Sequence, residues 1–149
     1  MLWVTRHEPD LDRCASAWLI KRFIDADASF AFINMGETPP TGGIPFVLPG
    51  AEVNPVAGVS TALDALVAKY GVTDAVALRI ASFVHDYEVD AGEDATKLKL
   101  PEAAGVFKVI RGLARISESD EETVGRALVV FDSLYAELTA EAAQLGGLS

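Results

Sequence analysis

Met1-Leu-Trp-Val-Thr-Arg-His-Glu-Pro-Asp-Leu-Asp-Arg-Cys-Ala-Ser-Ala-Trp-Leu-Ile-Lys-Arg-Phe-Ile-Asp25 holds a strand, a charged turn and a helix in one stretch. Residues 2–6 read as a strand. Arg6, His7, Glu8, Asp10, Asp12 and Arg13 crowd the junction where that strand gives way to the helix, and sites tend to be built where loops meet rigid elements. Leu11, Cys14, Ala15, Trp18 and Leu19 follow the i, i+3, i+4, i+7, i+8 spacing of one buried helical face. Asp10 or Asp12 is placed to cap its first turn. At ~100° per residue, Asp12 projects at the edge of the apolar arc beside Leu19 and Phe23. Arg22 projects inside the arc, between Leu11 and Ala15. Buried charges are paired, so a structural salt bridge is expected of Arg22, with a ligand role as the alternative.

The 149 residues are half hydrophobic, enough for one domain over residues 1–149 with a real core. No run approaches the ~20 apolar residues of a membrane span, and residues 14–24 are too broken by Lys21 and Arg22 to be a signal peptide. The single cysteine, Cys14, excludes an internal disulfide and fits a reducing cytoplasm. With 12 Lys and Arg against 22 Asp and Glu, the net charge of −10 disfavours nucleic acid and anionic membranes as partners. Cations are the easier ligands. An anion needs a local basic pocket working against the global field.

Residues 28–34 and 44–48 supply two further strands, the latter at an edge because it contains Pro45. The rest is helical. Thr61 and Asp64 form a capping box for a helix that Gly71 stops. Thr73 is expected to cap a helix over residues 74–90, and residues 91–97 form a polar connection. Pro101 opens a helix that runs to Ile116. Ser119 and Glu122 form a second capping box, after which Val124, Leu128, Phe131, Tyr135, Leu138, Ala142 and Leu145 alternate in steps of four and three. That stripe serves an intramolecular core or a homodimer seam over residues 120–145. The expected class is α+β: about three strands with a bundle of about five helices.

His85, the only other histidine, also lies among acids, in His85-Asp-Tyr-Glu-Val-Asp90. On an α-helical wheel Glu88 shares its side, whereas Asp86 and Asp90 share the polar face with Arg79. His7, Asp12, His85, Asp86 and Glu88 are the candidate metal ligands, suited to one Zn, Fe, Ni or Mn ion. Asp12, Arg13 and His85 are the candidate catalytic residues for acid–base chemistry. No flavin, nicotinamide, Walker or zinc-finger motif is present, and with one cysteine the chain has no evident electron source for reducing an oxidant.

Trp3-Val-Thr-Arg6 followed by Asp12-Arg-Cys-Ala-Ser-Ala-Trp-Leu-Ile-Lys-Arg-Phe-Ile-Asp25 resembles the chromate-resistance protein family, specifically the C-terminal domain of ChrB-type proteins. Ile44-Pro-Phe46 with Pro49-Gly50, Val84-His-Asp86, Pro101-Glu-Ala-Ala-Gly105 and Phe131-Asp-Ser-Leu-Tyr135 are similar to it in the same order. The resemblance implies a bacterial stress protein that limits or senses chromate. Transcriptional regulation is associated with the family's N-terminal part, so the resemblance, which is to the C-terminal domain, does not imply a regulator function. Many members carry a His and a Cys where this chain has Asn54-Pro55 and Ser60-Thr61.

Three functions follow as expectations. The first is a cytoplasmic protein with a metal or acid–base site between the first helix and the 74–90 helix. The second is a non-enzymatic oxyanion sensor, for which Arg6, Arg13 and Arg22 are the candidate ligands. The third is a partner-binding or dimerising helical module.

Overall fold

The computed structural model describes residues 1–92 and 94–147; Glu93 of the expected polar connection lies outside them. Strand β1 (Leu2–Arg6) lies between β2 (Ser29–Ile33) and β3 (Ile44–Pro45), and both pairings are parallel. Parallel neighbours need crossovers. Helix α1 (Leu11–Leu19) supplies the first, and the loop over residues 34–43 carries the chain to the other side of β1. The expected strand over 44–48 keeps only two ladder residues. Pro45 has no N–H to extend the pairing, and Val47 takes a left-handed φ of +52° that turns the chain away. Gly43 fits only as glycine, because a Cβ there would stand 2.6 Å from Cγ2 of Val4.

Helix α1 is the central helix, with all nine residues buried. Asp10 caps it, its Oδ1 accepting from the Arg13 amide at 3.1 Å. The helix runs on as a π-helical turn, Ile20–Ile24, closed by the Asp25 amide donating to the Ile20 carbonyl at 2.7 Å. Around α1 pack α2 (Ala62–Tyr70), α3 (Ala75–His85), α4 (Pro101–Ile116) and α5 (Asp120–Gly147). The Thr61/Asp64 capping box and the left-handed Gly71 are present as expected. Asp74, not Thr73, caps α3, because its carboxylate reaches the Ala77 amide at 2.9 Å. Helix α3 also ends earlier than expected, at His85, and continues as a second π-helical turn, Asp86–Asp90.

Trp18 joins α1 to α5. Its ring lies against Phe23, Phe131 and Tyr135, and its Nε1 donates to Asp132 Oδ1 at 2.9 Å. Of the α5 stripe, Val124, Phe131 and Leu138 are buried in the common core, whereas Leu145 is exposed. Trp18 is 1 % exposed, so Trp18→Ala is expected to cost about 3–5 kcal/mol, read as a fall in the urea midpoint. Among the described residues no helix is long and apolar enough to cross a membrane.

Candidate functional site

The order β2-β1-β3 reverses direction at the β1/β3 boundary, and in open parallel sheets ligands sit outside the carboxyl ends of the strands at such a switch point. A cleft of about 300 Å³ opens there. Arg6 ends β1, Met35 follows β2, and Val47, Leu48 and Pro49 follow β3; Arg13, Asn54 and Pro55 complete the wall. None of these residues is acidic.

Arg13 reaches the cleft from the first turn of α1. Its side chain is only 9 % exposed. Nη1 donates to Asp10 Oδ2 at 3.2 Å and Nη2 to the Val47 carbonyl at 3.3 Å, while Nε is buried with no hydrogen-bond partner among the described residues. A buried donor without an acceptor costs free energy. Arg6 forms no ion pair among the described residues. Asn54 shapes the cleft floor, its amide donating to the Leu48 and Ala51 carbonyls at 2.9 and 2.8 Å.

Arg22, the third candidate oxyanion ligand, is engaged elsewhere. Its Nε and Nη2 grip both oxygens of Asp132 at 2.9 and 2.7 Å. That bidentate hydrogen bonding raises the Arg22 pKa further and lowers that of Asp132.

The five candidate metal ligands are not gathered into one set. Asp12 Oδ2 and Oδ1 accept from the Ala62 and Leu63 amides at 2.7 and 3.1 Å, which docks the start of α2 on α1. Burial raises the Asp12 carboxyl more than these amides lower it, and its pKa is pushed up to about 6. Asp86 is 2 % exposed and accepts from the Lys99 and Leu100 amides at 3.0 and 2.8 Å, holding the entry to α4. Asp86→Ala is therefore expected to cost about 2 kcal/mol in chemical denaturation, by leaving those amides unpaired. His7 Nδ1 lies 2.6 Å from Asp120 Oδ2, whose other oxygen accepts from the Glu8 amide at 3.2 Å, tying the β1–α1 loop to the start of α5. Glu88 lines a crevice beside Asp10 and Asp12 that adjoins the strand-end cleft, sharing Arg13, Val47 and Pro55 with it. Among the described residues no three His, Cys, Asp or Glu side chains are arranged to hold a metal together.

His85 has a different set of neighbours. Its Nδ1 lies 2.6 Å from Asp64 Oδ2 and its Nε2 lies 3.6 Å from Asp90 Oδ1, at the edge of a groove of about 440 Å³. Sequence reasoning left out both carboxylates. Asp64 was absorbed by its capping role, and Asp90 comes round to His85 only because the turn is π-helical. Cys14 is buried, and burial pushes its thiol up to about 12, so it is held as the inert thiol.

Three parallel strands under a helical bundle, with a cleft at the strand ends, define an α+β domain. The chain belongs to the family described as ChrB, C-terminal domain, which it matches over residues 3–138. It is 29 % identical over 139 residues to Protein ChrB of Cupriavidus metallidurans. That alignment covers 93 % of this chain and 41 % of the relative, so the chain spans about two fifths of the relative's length. No solved structure matches the chain. The resemblance to the chromate-resistance family carried by the opening stretch is thereby confirmed.

Proposed function

We propose that the domain is a non-enzymatic binding module for a small oxyanion of the chromate and sulfate class, held between Arg6 and Arg13. The observation that carries this reading is the lining of the strand-end cleft, which has two guanidinium groups and no acid in a chain of net charge −10. Another cleft, of about 700 Å³, contains Arg111 and Arg115 but is flanked by Glu8, Glu118 and Asp120, which repel an anion. In the strand-end cleft, Arg13 is fixed by Asp10 and Val47 and meets a ligand already oriented, whereas Arg6 closes over it from the end of β1. Chromate and sulfate are dianions needing only donors, which the guanidinium groups supply as charge-assisted hydrogen bonds.

The reaction is binding, without electron transfer. A thiol with a pKa of about 12 supplies no thiolate at neutral pH. Family membership together with this cleft supports a chromate-responsive role within a resistance system. Calorimetric titration with sulfate tests it: one saturable site per chain is expected, weakened about 10-fold in Arg6→Gln by loss of a charged hydrogen bond. Binding of equal strength in Arg6→Gln removes Arg6 from the site.

A further inference from the structure

Independently of the oxyanion cleft, we propose that His85 and Asp90 form an open, exchangeable site for a divalent transition-metal ion, with Asp64 orienting the imidazole. The geometry begins at Asp64, whose Oδ2 accepts from the Thr61 amide at 2.9 Å while its own amide donates to the Thr61 hydroxyl at 3.0 Å. This reciprocal cap fixes the carboxylate. The same Oδ2 lies 2.6 Å from His85 Nδ1. An ionised carboxylate only accepts, so Nδ1 carries a hydrogen, and in the neutral form of the ring the lone pair then lies on Nε2, on the opposite side.

Nε2 faces Asp90 Oδ1 across 3.6 Å, too far for a hydrogen bond. With the ring neutral, two electron-pair donors face one another across that gap. Ligand nitrogen and oxygen atoms each about 2.1 Å from a tetrahedral ion stand roughly 3.4 Å apart. The gap is close to the size of the ion. A carboxylate that accepts from the distal N–H of the ligating histidine is the usual support of such a centre, because it fixes the ring and raises its basicity.

The backbone explains why these two residues meet. At ~100° per residue an α-helix would put Asp90 about 140° away from His85. The π-helical turn Asp86–Asp90, closed by the Ala91 amide on the Asp86 carbonyl at 2.7 Å, brings the i+5 residue round to the same side. Both side chains remain reachable, at 32 % and 39 % exposure, and they border the groove walled by Val67, Leu78 and Leu100. With two protein ligands, the remaining positions of the ion stay open to water or a small ligand. Imidazole and carboxylate together suit Zn, Ni, Fe or Mn, and the chain's negative charge favours any dication.

The test uses the full untagged chain at neutral pH, titrated with Zn²⁺ by calorimetry and with paramagnetic Ni²⁺ by NMR of the two histidine rings. The expected result is one Zn²⁺ per chain, with affinity reduced by at least about 10-fold in Asp90→Asn and in His85→Gln. Ni²⁺ is expected to broaden the His85 ring signals while sparing those of His7, which is paired with Asp120 on a different carboxylate. Asp90 lies at the end of its turn and is partly exposed, so Asp90→Asn keeps the fold and the comparison valid. Absence of Zn²⁺ heat at millimolar metal overturns the proposal. So does affinity unchanged in Asp90→Asn, or equal broadening of both histidines.

Discussion

An Asp12→Ala protein is expected to be about 3 kcal/mol less stable than the wild type in urea denaturation at pH 7. Its carboxylate is the acceptor for the Ala62 and Leu63 amides, and both of those residues are fully buried. Alanine leaves two donors in the core with no acceptor and frees the start of α2 from α1. Asp12 also gives stability a pH dependence. Its folded pKa of about 6 lies above the ordinary aspartate value of 3.8, so between these values the folded state holds a proton that the unfolded chain has released. That contribution is fully present below about pH 4 and is lost as the pH rises through 6. From pH 5 to pH 7 the wild type should lose about 1 kcal/mol relative to Asp12→Asn, which does not titrate. Identical pH profiles for the two proteins would show that Asp12 does not bind a proton on folding.

Arg13→Met is expected to weaken sulfate binding by roughly 100-fold, about 2–3 kcal/mol. Methionine keeps the apolar stem that packs at the start of α1 and removes every donor. The bonds given up within the protein, to the exposed Asp10 carboxylate and the Val47 carbonyl, are few, so the urea midpoint should move far less than the affinity. Arg22→Gln serves as the contrast. It breaks the clasp on Asp132 and leaves the cleft intact, so sulfate affinity should stay within about twofold of the wild type. A fall in affinity for Arg22→Gln as large as that for Arg13→Met would contradict the location of the site.

Much of this fold is written in local chemistry. The capping box of Thr61 and Asp64, the stop at Gly71, the start at Pro101 and the edge position of Pro45 depend only on neighbouring residues, and each is found where the sequence puts it. The unusual wheel position of Asp12 also carried real information, because it marks a carboxylate that folds into the interior. Its partners were hidden, since the Ala62 and Leu63 amides lie 50 and 51 residues away along the chain. The parallel sheet order was hidden for the same reason: strands this short carry no mark of whom they pair with.

The second π-helical turn defeated the wheel itself. Arg22 and Asp90 both lie within π-helical turns, and for Asp90 an angle of ~100° per residue gives the wrong side. Arg22, expected inside the apolar arc, is 41 % exposed and reaches Asp132, in keeping with the salt bridge expected of it. Asp90, assigned to the face of Arg79, stands opposite His85 instead. Asn54 and Thr61 hold structural roles: Asn54 pins the loop after β3, and Thr61 caps α2.

Crystals of the domain soaked in selenate, an isostere of sulfate and chromate with its own anomalous signal, test the central claim most directly. The oxyanion reading predicts an anomalous peak at the carboxyl ends of β1 and β3, within hydrogen-bonding reach of the Arg6 and Arg13 guanidinium groups. An empty strand-end cleft, with the peak instead beside Arg22 or between Arg111 and Arg115, would contradict it.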